Sequence, residues 1–124
     1  MIGVDLIAVD RIAKVLARHQ QHFLDRFLSP YEQTFFAKPA SLAGAWAAKE
    51  ACSKALGVGI GARLGFLDIC LHKNTRGAPQ ITLLPEKMRA FHLQSLHVSI
   101  SHDRGFAIAV VVCQFQSLQK ILDK

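Results

Sequence analysis

An α+β fold, one long alanine-rich helix packed against an antiparallel sheet, is the class this sequence predicts. Three observations carry it: a short apolar, partly β-branched run at 2–9, a helix-period segment at 41–56 that stops on glycine, and four later strand-like runs linked in pairs by polar turns. The 124 residues, 51% hydrophobic, suit a single domain spanning 1–124. So small a domain has a limited interior, so a neighbouring subunit that completes its site is an expectation from size alone.

The run Ile2-Gly-Val-Asp-Leu-Ile-Ala-Val9 reads as a buried strand with one acid, Asp5, in its middle. From Asp10 the period changes: Ile12, Val15, Leu16 and His19 mark one helical face, with Arg11, Lys14 and Arg18 on another. Helical spacing continues through Phe23, Leu24, Phe27 and Leu28, and Ser29-Pro30-Tyr31-Glu32 then supplies an N-cap, a proline at N1 and a glutamate at N3. Lys38-Pro39 interrupts, Ser41 caps the alanine-rich helix, and Gly57 ends it. After a loop through Gly57, Gly59, Gly61 and Gly65, residues 66–72 and 80–84 read as a hairpin with a turn at Asn74 to Gly77. A short helix at 85–94, a strand at 96–101, a polar turn at 102–105 and a strand at 106–115 complete the chain. Residues 106–113 lack polar alternation, which predicts cover on both faces by helix, sheet or another subunit.

Fifteen basic against nine acidic residues give a net charge of +6, a field attractive to nucleic acid, anionic lipid, acidic proteins or phosphorylated ligands. Nucleic acid is disfavoured, because Phe23, Phe27, Phe35 and Phe36 follow core periodicity and do not interleave with the basic residues. Cys52, Cys70 and Cys113 are odd in number and widely spaced, as expected of reduced core thiols. The early carboxylate Asp5 and the lack of a long apolar run argue against a signal peptide or membrane span, so a cytoplasmic protein is expected.

Within the long helix Trp46, Glu50 and Lys54 recur every four residues on one face. The ordinary reading is a Glu50–Lys54 ion pair beside a core tryptophan. The chemical reading is a carboxylate and an ammonium that hold a divalent cation and a phosphate side by side. The run Trp46-Ala-Ala-Lys-Glu-Ala-Cys-Ser-Lys54 resembles the signature helix of the 4′-phosphopantetheinyl transferase superfamily. Three further blocks, Gly3-Val-Asp-Leu6, Phe27-Leu-Ser-Pro-Tyr-Glu32 and His97-Val-Ser-Ile-Ser-His102, resemble its short holo-acyl-carrier-protein synthase branch, in order and in register.

That resemblance implies the family's fold and a magnesium-dependent transfer of 4′-phosphopantetheine from coenzyme A to a serine of an acidic acyl carrier protein, supporting fatty acid biosynthesis. It implies that Asp5 and Glu50 ligate the metal, a role that suits hard oxygen donors. Glu50 would remove the serine proton, directly or through a metal-bound water. By the same resemblance Lys54 contacts coenzyme A, Gly57 and Gly59 border its site, His102 lies near the nucleotide, and Arg11 meets the carrier's acidic helix. Spacing extends the basic face of Arg11 to Lys14 and Arg18. A homotrimer with active sites between subunits is also implied. Two departures stand out: Ala45 replaces the arginine of the usual L-A-G-R-F step, and Gly77-Ala78-Pro79 replaces G-K-P, with Arg76 just before it. The first motivates a rival expectation, a basic carrier-binding module that has lost catalysis.

Overall fold

The computed structural model describes residues 1–123. Strand β1 (Ile2–Ala8) runs into helix α1 (Val9–His19), followed by α2 (Gln21–Phe27), α3 (Pro30–Gln33) and the long α4 (Pro39–Ala55). A 3-10 turn (Phe66–Asp68) precedes β2 (Ile69–Lys73), β3 (Pro79–Leu83), α5 (Pro85–Ala90), β4 (Leu93–Asp103), β5 (Phe106–Phe115) and α6 (Leu118–Leu122). Two antiparallel sheets result, one in the order β1-β5-β4 and one a β2-β3 hairpin.

Helix α4 lies across one face of the three-stranded sheet, chiefly over β1 and β5. Its alanines make this possible: Ala43, Ala47, Ala48, Ala51 and Ala55 are fully buried, opposite buried Ala107, Ala109 and Val111 of β5. The closest approach is at Gly3, where a Cβ atom would stand 2.1 Å from the Ala51 carbonyl oxygen and 2.5 Å from the Ala55 nitrogen. Any side chain there would force β1 off the helix. A second layer of aromatic residues closes the outer side of α4, with Trp46 and Phe66 centroids 4.7 Å apart and Phe23 and Phe27 4.8 Å apart.

The Ser29 cap forms as its sequence predicts. Its hydroxyl accepts from Glu32 N at 3.2 Å, and Glu32 Oε1 accepts from Ser29 N at 2.8 Å. Glu32 then reaches further than a cap requires. It also accepts from Lys49 Nζ at 2.9 Å and from Leu71 N at 2.7 Å, while Lys49 donates to the carbonyls of Phe27 and Phe66. This buried pair ties α2, α3, α4 and β2 to one point. Burial lowers the proton affinity of Lys49, which Glu32 partly restores. Removing one partner would strand the other charge in the core, typically a loss of about 3–5 kcal/mol.

Several sequence expectations need correction. Helix α4 starts at Pro39 with Lys38 as its N-cap, not at Ser41, because Pro39 supplies the fixed φ suited to a first turn. Residues 66–68 form the 3-10 turn and not the start of a strand, and α5 ends at Ala90, short of the expected 94. Strand β4 is longer than expected, running to Asp103 and leaving Arg104-Gly105 as a two-residue hairpin with positive φ at both positions. Strand β5 has one face under α4, while the expected cover of its other face, by helix, sheet or another subunit, does not come from within the chain. Ala107, Ala109, Val111 and Cys113 are buried, whereas Phe106, Ile108 and Val112 remain exposed beside Ile2, Val4 and Leu6 of β1.

Candidate active site

Asp5 sits in the middle of β1, on the face turned to α4 two residues beyond Gly3. The close approach at Gly3 carries it to the helix: Lys54 Nζ lies 2.8 Å from Asp5 Oδ1 and donates to the Val4 carbonyl at 3.3 Å. The expected Glu50–Lys54 pair is therefore not the one observed; Lys54 is spent on β1. Glu50, one turn earlier on α4, is half-buried in the same cluster. Burial and then the neighbouring Asp5 charge push its carboxyl above the usual range, against the weaker pull of Lys54 and Arg11. Arg11 thus belongs electrostatically to this cluster as well as to the face of α1.

Two carboxylates held this close, one disfavoured in its charged form, are chemically a seat for a hard divalent cation whose remaining ligands are water and phosphate oxygens. The described residues hold no group of three or more His, Cys, Asp or Glu that could bind a metal without such outside ligands. The residues present fit magnesium with a phosphate-bearing substrate.

His102 stands apart from this cluster. Its Nε2 is 2.8 Å from the Ala40 carbonyl at the start of α4, and it packs over Gly44, whose missing side chain leaves it room. Asp5 and His102 share the α4 face of the sheet but lie on its opposite edge strands, roughly 12 Å apart from strand spacing and rise. Around His102 is a cleft of about 360 Å³ with Phe36, Pro79 and Ile100 as apolar walls and Lys38 and Lys73 as cations. Neither lysine is marked in the sequence: Lys38 precedes Pro39 at a helix break, and Lys73 falls between the expected strand and the Asn74 turn. Gly77, from the expected turn, also lines this cleft, and Ala45 does not; it is fully buried in the core.

Gly57 and Gly59 adopt φ of +73° and +67° after α4, and the Ser53 carbonyl accepts from Val58 N and Gly59 N. Their conformation ends the helix, and nothing lies within 4 Å of where either Cβ would be. On α1, Lys14 is 3.0 Å from Asp10, so part of the predicted basic face is already neutralised. Arg18 has no acidic partner within 4 Å among the described residues. Beside it, a cavity of about 370 Å³ opens between α1 and α2 onto Phe23, Phe27 and Trp46, with His19, His22 and Arg26 at its edge. Trp46 is therefore a wall of this cavity as well as a core aromatic. The three cysteines are unpaired, and burial raises each thiol, Cys52 to about 12, which disfavours the thiolate. No helix among the described residues is long and apolar enough to cross a membrane.

Residues 1–111 match the family described as the 4′-phosphopantetheinyl transferase superfamily. A holo-[acyl-carrier-protein] synthase of Wolinella succinogenes is 54% identical over 114 residues, covering 92% of this chain and 97% of that protein. The crystal structure of the Helicobacter pylori holo-[acyl-carrier-protein] synthase in complex with coenzyme A superposes with a TM-score of 0.90 at 56% identity, covering 92% of this chain and all of that one. The Neisseria meningitidis holo-[acyl-carrier-protein] synthase superposes with a TM-score of 0.82 at 30% identity, over 91% of this chain and 96% of that one.

Proposed function

The chain belongs to the 4′-phosphopantetheinyl transferase superfamily, and from that premise we propose that it is a holo-acyl-carrier-protein synthase, acting on coenzyme A and an acidic apo acyl carrier protein. The observation that carries the reading is the cluster of Asp5, Glu50 and Lys54, brought together from β1 and α4 by the contact at Gly3.

In the proposed reaction the carrier serine oxygen attacks the β-phosphorus of coenzyme A, and the bond to the adenosine 3′,5′-bisphosphate breaks. The phosphopantetheine arm stays on the serine. Asp5 and Glu50 would hold magnesium, which when bound supplies positive charge to the pyrophosphate. Lys54 leaves Asp5 for a phosphate oxygen and neutralises charge on the departing group. Glu50, whose carboxyl holds its proton more tightly than usual, accepts the serine proton. The cleft at His102, with Lys38 and Lys73, receives the phosphorylated nucleoside, and Gly57 and Gly59 line the path between. The lysines provide the cationic charge that Ala45 lacks, so the rival reading of a module without catalysis loses its motive.

The acid cluster and the His102 cleft occupy opposite edges of one sheet, while the outer sheet face exposes Ile2, Val4, Leu6, Phe106, Ile108 and Val112. Both features support a homotrimer in which the acids of one copy face the His102 cleft of the next. The carrier docks on α1 through Arg11, Arg18 and, more weakly, the Asp10-paired Lys14, with an apolar side chain seated in the cavity over Trp46. One connected core reaching every layer supports reading 1–124 as a single transferase domain. We place the enzyme in the cytoplasm, in fatty acid synthesis.

Mass spectrometry of an apo carrier incubated with coenzyme A, magnesium and the protein tests the reading. The carrier serine should gain one phosphopantetheine, and Asp5→Ala or Glu50→Ala should abolish the gain with circular dichroism unchanged. Near-normal turnover by Glu50→Ala at saturating magnesium would overturn the assignment of the two acids.

A further inference from the structure

The loop from Gly57 to Gly65 is tied down by residues that the transfer chemistry does not use. Four of residues 57–65 are glycine, so ordering this segment costs more conformational entropy than ordering a common loop. Its first part is fixed from α4, whose Ser53 carbonyl accepts from Val58 N at 3.2 Å and from Gly59 N at 3.3 Å. Its second part is fixed from α5.

Lys87 Nζ donates to the Arg63 carbonyl at 2.8 Å, and the Arg63 guanidinium stands over the Phe91 ring, 5.5 Å from its centroid. Arg63 is thus held by backbone and side chain from one face of one helical turn, since Phe91 N bonds to the Lys87 carbonyl. The same ammonium lies 3.9 Å from Asp68 Oδ2, which accepts from Gly65 N at 2.8 Å, and Leu64 between them is fully buried. Helix α5 is a firm anchor, because it packs on β3 and β4 with Met88 and Phe91 against the core. Neither Lys87 nor Phe91 lines the His102 cleft, and the acid beside Lys87 is Asp68, not Asp5. What they hold is the backbone that leads away from Lys54, for Gly57 follows it by three residues.

We propose that Lys87, with Phe91, is a positioning residue for coenzyme A. By holding Arg63 it keeps the glycine loop ordered before the substrate arrives, so that binding does not bear the cost of ordering it. The proposal rests on the reading of Gly57 and Gly59 as the border of the coenzyme A path.

The test is Lys87→Met, which keeps an unbranched side chain and removes the donor, beside Gly59→Ala, which strains the loop itself at φ +67°. In the transfer assay Lys87→Met should raise the KM for coenzyme A by about three- to tenfold, the range that one hydrogen bond supplies. The kcat, the carrier KM and the melting temperature should stay near wild type. Amide hydrogen exchange at residues 57–65 should quicken in Lys87→Met and slow again when coenzyme A is added. Lys87→Arg, which keeps a donor, should restore the wild-type KM, and Gly59→Ala should raise it. An unchanged coenzyme A KM in Lys87→Met with Gly59→Ala impaired would overturn the clamp and leave the loop on the coenzyme A path. A lower kcat or melting temperature without a selective rise in that KM would also overturn it, because the contact would then be structural only. An unchanged KM in both variants would overturn the place of the loop on the path, and the role of Lys87 with it.

Discussion

Glu50 shows how much of the site's electrostatics is set by one contact between a strand and a helix. Its folded carboxyl holds a proton more tightly than its ordinary value near 4.5, because burial and then Asp5 disfavour the charge. Between those two values the folded state binds more protons than the unfolded chain, so stability falls as pH rises through that window and stays lowered above it. Glu50→Gln, which cannot ionise, should therefore melt higher than wild type in metal-free buffer at pH 7.5, on the order of one or two degrees for a domain of this size. The gap should close below about pH 4, where the wild-type carboxyl is protonated in both states. Magnesium should raise the melting temperature of wild type alone. A lower melting temperature for Glu50→Gln at pH 7.5 would mean that Lys54 and Arg11 outweigh burial and Asp5. Both acids were legible in the sequence, Asp5 because a carboxylate in an apolar strand needs compensation. The partner of Lys54 was not: spacing favoured Glu50, and only the missing Cβ of Gly3 shows why β1 reaches Lys54 first. Lys49 was equally opaque, since nothing local shows that Glu32, a capping residue 17 positions earlier, would bury it.

The junction of α1 and α2 carries the clearest backbone strain. Gln20 holds φ +48° and ψ −126°, a region that costs a residue with a side chain roughly 1–3 kcal/mol and that glycine enters freely. It persists because Phe23, three residues on, is anchored in the aromatic layer, and the turn sets His19 and His22 at the cavity mouth. Gln20→Gly should raise the urea midpoint, with a net gain of about 1 kcal/mol after the extra freedom of the unfolded glycine is subtracted. A midpoint at or below wild type would show that the conformation is not strained in this context. Continuous apolar spacing from Ile12 to Leu28 made helix legible here, but not the break into α1 and α2 at Gln20, because a strained glutamine has no composition signal. The opposite holds at Ser29, where the S-P-Y-E pattern names its own cap and the structure adopts it. At Pro39 two signals competed, serine as cap and proline as first residue, and the fixed ring torsion prevailed.

The arrangement of the sheet leads to the most discriminating prediction. An alternation of buried alanine with exposed phenylalanine, isoleucine and valine along β5 leaves an apolar sheet face without cover in the single chain, and such faces mark association surfaces. The apolar run at 106–113 announced that face in the sequence; the edge-to-edge separation of Asp5 and His102 appears only once β5 is seen between them. If each active site takes its acids from one copy and its His102 cleft from the next, two defects on different copies can complement. Asp5→Ala and His102→Ala should each lose most transfer as pure oligomers, the first through the pyrophosphate and the second through the nucleoside. Mixed by unfolding and refolding together in equal amounts, they should regain about a quarter of wild-type activity, because half the sites receive intact acids and half of those face an intact His102. The recovery should disappear when Ile108→Asp is added to both, since a carboxylate on the apolar face opposes association. Native mass spectrometry of the refolded mixture identifies the mixed oligomers directly. Mixed oligomers without recovered transfer would mean that every copy carries its acids and its nucleoside cleft in one complete site, and the intersubunit assignment would have to be abandoned while the roles of Asp5 and Glu50 survive.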